Sequence, residues 1–300
     1  MAEDIIKYQE GREAAIRGRK LRVLDLFSGI GGFSLGLERA TMEGAEYVGF
    51  ETTAFCEIEE FPRKVLAKHW PDVSCYRDVR ELTAERLAAD GIAVDVICGG
   101  FPCQDLSTSG TGLGLAGERS GLWSEFKRLI RDIRPSYVVL ENSPELLDGW
   151  LGDVVGPLAS FGYDAEWDCI PASAVGAPHR RDRIWLIAYP SGGGQSQSWG
   201  CLNTVHPASD AYREADHVVD AVQRRALPFV CGRHDGLPGG VDRLKALGNA
   251  VVPQIPELIG RAILAAQNTT IRGDKRDARK HSDWLQGYDA VRPTSTAGRE

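Results

Sequence analysis

The clearest nucleophile in the chain is a cysteine that directly follows a proline, in Val94-Asp95-Val96-Ile97-Cys98-Gly99-Gly100-Phe101-Pro102-Cys103-Gln104-Asp105-Leu106-Ser107. The segment opens as an apolar run, β-branched apart from Asp95, and predicts a buried parallel strand. Two glycines and a proline then break it. Gly99 and Gly100 permit a sharp turn, and Pro102 fixes φ beside the thiol. Cys103 therefore falls past the carboxyl end of a strand, the edge at which open α/β sheets bind ligands. A thiolate presented there can attack an electrophilic carbon. The competing reading is a buried structural cysteine, the commoner fate of a free thiol.

Other chemistry-bearing residues fall at the same kind of position. Tyr137-Val138-Val139-Leu140 predicts a strand that ends in Glu141-Asn142-Ser143-Pro144. This puts a carboxylate at the edge that carries Cys103, either as an acid–base group or as a helix-start acid favoured by the dipole. Arg181 and Arg183 alternate and would share one face of a strand over 183–189, where two guanidiniums suit a phosphate or a base edge. The competing reading of that pair is a solvated basic turn. Leu21 to Phe27 predicts a first strand running into Ser28-Gly29-Ile30-Gly31-Gly32-Phe33 and a helix. Strand, glycine turn and helix make an anion-binding arrangement, although the dinucleotide spacing G-x-G-x-x-G is not matched. Glu57, near the end of a strand over 53–58, is either a ribose-binding acid or a surface glutamate beside Glu59 and Glu60. Asp78, after a short strand around 75–77, either accepts from an exocyclic amine or caps a helix opening at Glu81.

These positions need a sheet of parallel strands with helices between them. Helices are expected at 61–69, 122–133 and 145–161, with Lys127, Arg128, Arg131 and Arg134 on the wet side of the second. A glycine-rich loop over 107–121 separates Cys103 from that helix, and its length marks it as functional or mobile. Strands are expected at 163–170 and 183–189. Pro190-Ser191-Gly192-Gly193-Gly194 then reads as a linker. The residues to about 240 lack periodicity and read as a small loop-rich domain. Order resumes by Arg243 and leads to a helix with Ile255, Leu258, Ile259, Ala262 and Ile263 on one face. The organisation expected is a main domain over 21–189, a small loop-rich domain over 190–240 and a return to the first domain over 241–267. Residues 1–20 and 268–300 are expected to be flexible termini.

The chain's 300 residues, 43% of them hydrophobic, suffice for a large core. The first twenty residues are polar and charged, which argues against a signal peptide, and no apolar run reaches the length of a membrane span. Seven scattered cysteines without a C-x-x-C pair argue against a disulfide framework and a zinc site. A soluble cytoplasmic monomer without a metal is expected. The net charge of −7 means that any nucleic acid must be gripped by a local basic surface.

Taken together and in this order, the motifs resemble those of the DNA cytosine-5 methyltransferases. Asp25 to Phe33 looks like that family's cofactor motif, Gly99 to Gln104 its Pro-Cys motif and Glu141-Asn142 its third catalytic block. Arg181-x-Arg183 resembles its Gln-x-Arg-x-Arg block, and Gly248-Asn249-Ala250-Val251-Val252-Pro253 its closing cofactor motif. His179 stands where that family has Gln, and Ser143 where Val follows Glu-Asn. The resemblance implies a Rossmann-like α/β methyltransferase sheet with helices on both faces, acting on double-stranded DNA. It implies that Cys103, presented by Pro102, adds to C6 of a flipped-out cytosine, that Glu141 serves N3 and Arg183 holds O2, and that Arg181 supports the Cys103 loop or a phosphate. S-adenosylmethionine would be surrounded by Phe27, Gly29, Ile30, Gly31, Glu57, Ile58, Asp78, Val79, Leu122, Asn249 and Ala250. Gln104, Ser107 and Arg119 would contact DNA, with 107–121 as the lid. Arg224, Arg225 and Arg233 would read bases, since Arg to guanine is the commonest such contact. A restriction endonuclease is an expected partner in the same system. The rivals are a tRNA methyltransferase on the same scaffold, whose usual Cys-Phe-Thr signature is absent here, a catalytically inactive DNA-binding regulator and a nicotinamide oxidoreductase.

Overall fold

Three near-continuous apolar runs form the middle of a seven-stranded sheet in a computed structural model, which describes residues 20–42, 48–102, 122–177, 179–191 and 246–267. These central strands are β1 (Leu21–Leu26), β4 (Val96–Gly99) and β5 (Tyr137–Asn142), buried along nearly their whole length. Burial on both faces explains why they read as runs rather than alternations. The other strands are β2 (Phe50–Cys56), β3 (Ser74–Tyr76), β6 (Tyr163–Pro171) and β7 (Asp182–Pro190). Their order is β3-β2-β1-β4-β5-β7-β6. Strands β1 to β5 pair in parallel, whereas β7 runs antiparallel to both β5 and β6. That reversal brings the amino-terminal end of β7 to the edge where the parallel strands end. The sheet is Rossmann-like α/β, as expected from the motifs.

Helices cover both faces. Along β1, Leu21 and Val23 join one apolar cluster while Leu24 and Leu26 join another, following the two-residue period of a strand. The first cluster is closed by α1 (Gly32–Arg39), with Phe33 and Leu37, and by a helix over 254–267 that buries Ile255, Ile259 and Ile263. Leu258 of that last helix, expected on the buried face, is 37% exposed, because the contact stripe runs through 255, 259, 262 and 263 instead. The second cluster is closed by α3 (Ala84–Ala89), α4 (Leu122–Ile133) and α5 (Leu151–Ser160). Helix α2 (Glu60–His69) follows β2.

The expected helix over 145–161 is two pieces. A 3₁₀ turn, Pro144–Leu147, is followed by a turn over 148–150 and then α5. Pro157 lies inside α5 and has no N–H for the Asp153 carbonyl. Trp123 of α4 fills the vacancy: its Nε1 donates to that carbonyl at 3.0 Å. The helix expected to open at Glu81 starts at Ala84 instead, where the Thr83 side chain accepts from the Arg86 amide at 3.1 Å.

At the opposite sheet edge, the acid embedded in the predicted β4 run proves to be a structural tie. Asp95 is fully buried and takes three donors from Arg22, its N at 3.0 Å, Nε at 2.8 Å and Nη2 at 2.9 Å. Asp95→Ala leaves the Arg22 amide and guanidinium without this partner. The expected loss of stability is about 3 kcal/mol, the lower end for breaking a buried pair because Arg22 retains some access to water. Urea midpoints measure it, and a change below about 1 kcal/mol would show that solvent replaces the carboxylate.

Candidate active site

The turn after β1 is built from left-handed backbone: Phe27 has φ 54°, Gly29 53° and Gly31 85°. Phe27 is the costly member, since a side chain disfavours positive φ, and its ring stacks on Phe126 of α4 at 6.3 Å. The turn is fastened from below. Ser28 Oγ donates to the Asp25 carbonyl at 2.5 Å. Asp25 itself is fully buried, and its Oδ2 accepts from Ser34 Oγ at 2.8 Å and Ser34 N at 3.3 Å. Burial pushes the Asp25 carboxyl up to about 8, although the Ser34 hydrogen bonds oppose the shift. The sequence motif contained Asp25 but offered no role for it, and Ser34 lies just past the motif's end. Gly31 packs against Trp70, where a Cβ would lie 2.7 Å from the indole, so a side chain there would have to displace the ring.

Glu57 lies just past β2, which begins three residues earlier and ends two residues earlier than the sequence suggests. It is not a solvated surface acid. It is 8% exposed, and its two oxygens accept from Gly29 N at 2.7 Å and Glu59 N at 2.8 Å. Glu57 and Gly29 are thus brought together, while Ile58 beside them is 54% exposed. Asp78 is engaged differently: Arg80 forks onto it at 2.6 to 3.1 Å and holds its carboxyl below the usual carboxylate range. Val79 is buried, while Ile30 and Leu122 are half-buried.

On the other side of β1, the ends of β5 and β7 meet. Glu141 pairs across the sheet with Trp185, and Arg183 lies two residues from Trp185 on the same strand face. Arg183 Nε lies 2.8 Å from Glu141 Oε1. Burial raises the Glu141 pKa above its ordinary value, with the Arg183 and Arg181 guanidiniums pulling against it. The carboxylate lies against Gly100: a Cβ there would sit 2.6 Å from Oε2. Close approach of the Glu141 side chain, rather than a left-handed backbone, therefore favours glycine at 100. Asn142 Nδ2 donates to the Phe101 carbonyl at 3.2 Å, and its Oδ1 accepts from Ser143 N at 2.8 Å. Consecutive β5 residues thus grip Gly100 and Phe101, immediately before half-buried Pro102.

Arg181 does not share a strand face with Arg183. Strand β7 starts at Asp182, and Arg181 has φ 36°. From this bend its Nη1 donates to the Gly248 carbonyl. It thereby docks the 246–249 turn, which carries exposed Asn249, against the sheet edge. Burial and the neighbouring Arg183 lower the Arg181 pKa. Cys103, Gln104, Ser107, Arg119, Arg224, Arg225 and Arg233 lie outside the described residues.

A family model for C-5 cytosine-specific DNA methylases matches residues 21–221. The chain belongs to that family. Among relatives of this chain, the type II methyltransferase M2.BsuMI of Bacillus subtilis (strain 168) is 34% identical over 176 residues, covering 56% of this chain and 42% of its own. The type II methyltransferase M.CviJI of Paramecium bursaria Chlorella virus IL3A is 35% identical over 169 residues, with the same two coverages of 56% and 42%. The chain thus spans less than half the length of these two relatives. A candidate DNA modification methyltransferase encoded within an E. coli prophage superposes with TM-score 0.50 at 29% identity, over 60% of this chain and 49% of its own. The Entamoeba histolytica methyltransferase EhMeth shares the fold alone, with TM-score 0.56 at 14% identity over 82% of this chain and 98% of its own. Among the described residues no helix is long and apolar enough to cross a membrane, and no cluster of acidic, cysteine or histidine side chains could hold a metal.

Proposed function

We propose that the protein is a DNA (cytosine-5-)-methyltransferase that uses S-adenosylmethionine to methylate C5 of a cytosine extruded from duplex DNA. The observation that carries the reading is the buried Glu141, ion-paired with Arg183 at 2.8 Å and lodged against Gly100, three residues before Cys103. Cytosine C5 is a weak nucleophile until something adds at C6. Cys103, as thiolate, forms the C6–S bond and pushes electron density to C5. Glu141 hydrogen-bonds N3 in its acid form, and Arg183 holds O2, so charge built up on the ring is met by fixed donors. Once C5 carries the methyl group, loss of the C5 proton and breaking of the C6–S bond restore the aromatic ring and free Cys103. C6 is inaccessible within the stack, so the base must be flipped out.

The residues of the glycine turn fit the cofactor. The space where a Gly29 Cβ would stand is open, and Glu57, held by the Gly29 amide, has lone pairs to spare beyond its two backbone bonds. Glu57 would take the ribose hydroxyls; Phe27, Ile30, Gly31, Ile58, Val79, Leu122, Asn249 and Ala250 would line the rest, with Asp78 facing the adenine amine on release from Arg80. When bound, S-adenosylmethionine supplies an electrophilic methyl on a sulfonium. Glu57→Ala removes a charge-assisted contact and is expected to weaken its binding by roughly 1.5–3 kcal/mol. Calorimetry gives the number, and unchanged affinity would reduce Glu57 to a brace for Gly29.

Residues 190–240 are assigned to target recognition, with Arg224, Arg225 and Arg233 reading bases of a short site and with Gln104, Ser107 and Arg119 contacting DNA near the extruded base. Residues 21–189 and 241–267 form the catalytic unit. The type II names of the relatives support pairing with an endonuclease that cuts the same site. Bisulfite sequencing of plasmid from cells expressing the protein tests the whole reading: cytosines in one short motif are expected to resist conversion. Complete conversion at every site, with folded protein in the cells, would refute it.

A further inference from the structure

Helix α4 carries an arginine that sequence patterning places in water but the fold directs inward. Arg128 Nη2 donates to two backbone carbonyls of a separate segment, Val79 O at 3.0 Å and Leu82 O at 2.8 Å. Its Nε is held by Glu125 Oε2 at 2.8 Å, so the guanidinium is aimed from its own helix. The Arg128 side chain is only 24% exposed, against 58% for Arg131 of the same helix, which pairs locally with Asp132. The carbonyls it holds belong to the turn over 78–82, where Glu81 N bonds to the Asp78 carbonyl and Val79 and Leu82 are buried against the second core. Nη2 satisfies both carbonyls while Nε is held by Glu125, so one planar group fixes distance and orientation together, which a lysine with its single nitrogen cannot do.

We propose that Arg128 is a positioning residue for the cofactor. It sets the spacing between two walls of the S-adenosylmethionine site, the turn carrying Asp78 and Val79 and the start of α4 at Leu122. The inference rests on the S-adenosylmethionine reading above. The two walls come from segments more than forty residues apart in sequence, and Arg128 spans 46 and 49 residues to reach its two acceptors. Loosening the fork lets the turn drift from α4 without touching the Glu141–Arg183 side of the edge.

Arg128→Gln and Arg128→Lys in the full chain test it through calorimetric titration with S-adenosylmethionine and through initial rates with S-adenosylmethionine and duplex DNA. KM for S-adenosylmethionine is expected to rise about tenfold in Arg128→Gln and by about half that factor in Arg128→Lys, as for the loss of one to two hydrogen bonds. At saturation kcat stays within about twofold of wild type, and KM for DNA is unchanged, because the contact acts on cofactor binding alone. A purely structural tie would lower the melting temperature and leave KM for S-adenosylmethionine where it was, and that result overturns the assignment. So does a matching rise in KM for DNA or a fall in kcat without a KM effect. Should Arg128→Gln not fold, Arg128→Lys decides by the same criteria. Wild-type protein that binds no S-adenosylmethionine overturns both this inference and the reading beneath it; wild-type binding with unaltered variants overturns this inference only.

Discussion

Cys103→Ser is expected to abolish both methyl transfer and the covalent capture of DNA that carries 5-fluorocytosine, while S-adenosylmethionine still binds. After a thiolate adds to C6 and C5 is methylated, the C5 substituent must leave as a cation to release the enzyme. A proton can do so and fluorine cannot, so wild-type protein is trapped on the substituted DNA. Serine keeps the shape of the side chain, but its hydroxyl is far less acidic than a thiol and lacks the nucleophilicity of a thiolate. Denaturing gels with the fluorinated duplex read the adduct directly. An undiminished adduct would assign the nucleophile to another residue. Cys98, five positions earlier, is a poor substitute. It is fully buried, and desolvation together with Asp25 raises its thiol pKa well above the ordinary range. Burial likewise pushes Cys56 up to about 12.

Glu141→Gln is expected to lower kcat by a factor of about 10² or more, the size of effect that follows loss of a positioned acid. Gln preserves the volume above Gly100 and can still accept from Arg183 Nε, but it carries no acid proton for N3. Desolvation raises the Glu141 pKa, so the neutral acid persists to higher pH than for an exposed glutamate. The sign follows: if the acid is the active form, wild-type kcat falls as pH rises through that pKa, and the Gln variant lacks this limb. Cofactor affinity should be unaffected, because Glu57 and the glycine turn lie on the other side of β1. Near-normal turnover in Glu141→Gln would remove this carboxyl from the mechanism.

Much of this edge was legible before any coordinates. Apolar runs that end in glycine or in an acid define strands buried on both faces, which is why β1, β4, β5 and the limits of α4 could be read directly. Glu141 and Arg183 could be placed because each sits at the end of such a run. What was illegible is what backbone and long side chains do between segments. Arg128 reads as solvated from its helical phase, because phase says nothing about two carbonyls forty-odd residues away. Arg181 reads as a strand residue, but the bend at φ 36° turns it toward Gly248. Asp78 could be read as cap or acceptor; Arg80, two residues on, occupies it instead. Gly100 and Asn142 lie inside recognisable motifs, yet their contacts with Glu141 and the Phe101 carbonyl depend on the neighbouring strand.

The last helix has a consequence for how the protein is made. Residues 254–267 supply Ile255, Ile259 and Ile263 to the first core, and Gln267 donates to the Tyr137 hydroxyl of β5. On a ribosome, strands β1 to β7 emerge before this helix exists. At about 5–20 residues per second, synthesis from Pro190 to Gln267 takes roughly 4–15 s. Throughout that interval Val23, Val139, Ile187 and their neighbours form an apolar face covered only by α1 among the described helices of the first core. A nascent chain in this state is a substrate for holdase chaperones and a risk for intermolecular association. Slower synthesis over 190–267 lengthens the time this face stays open.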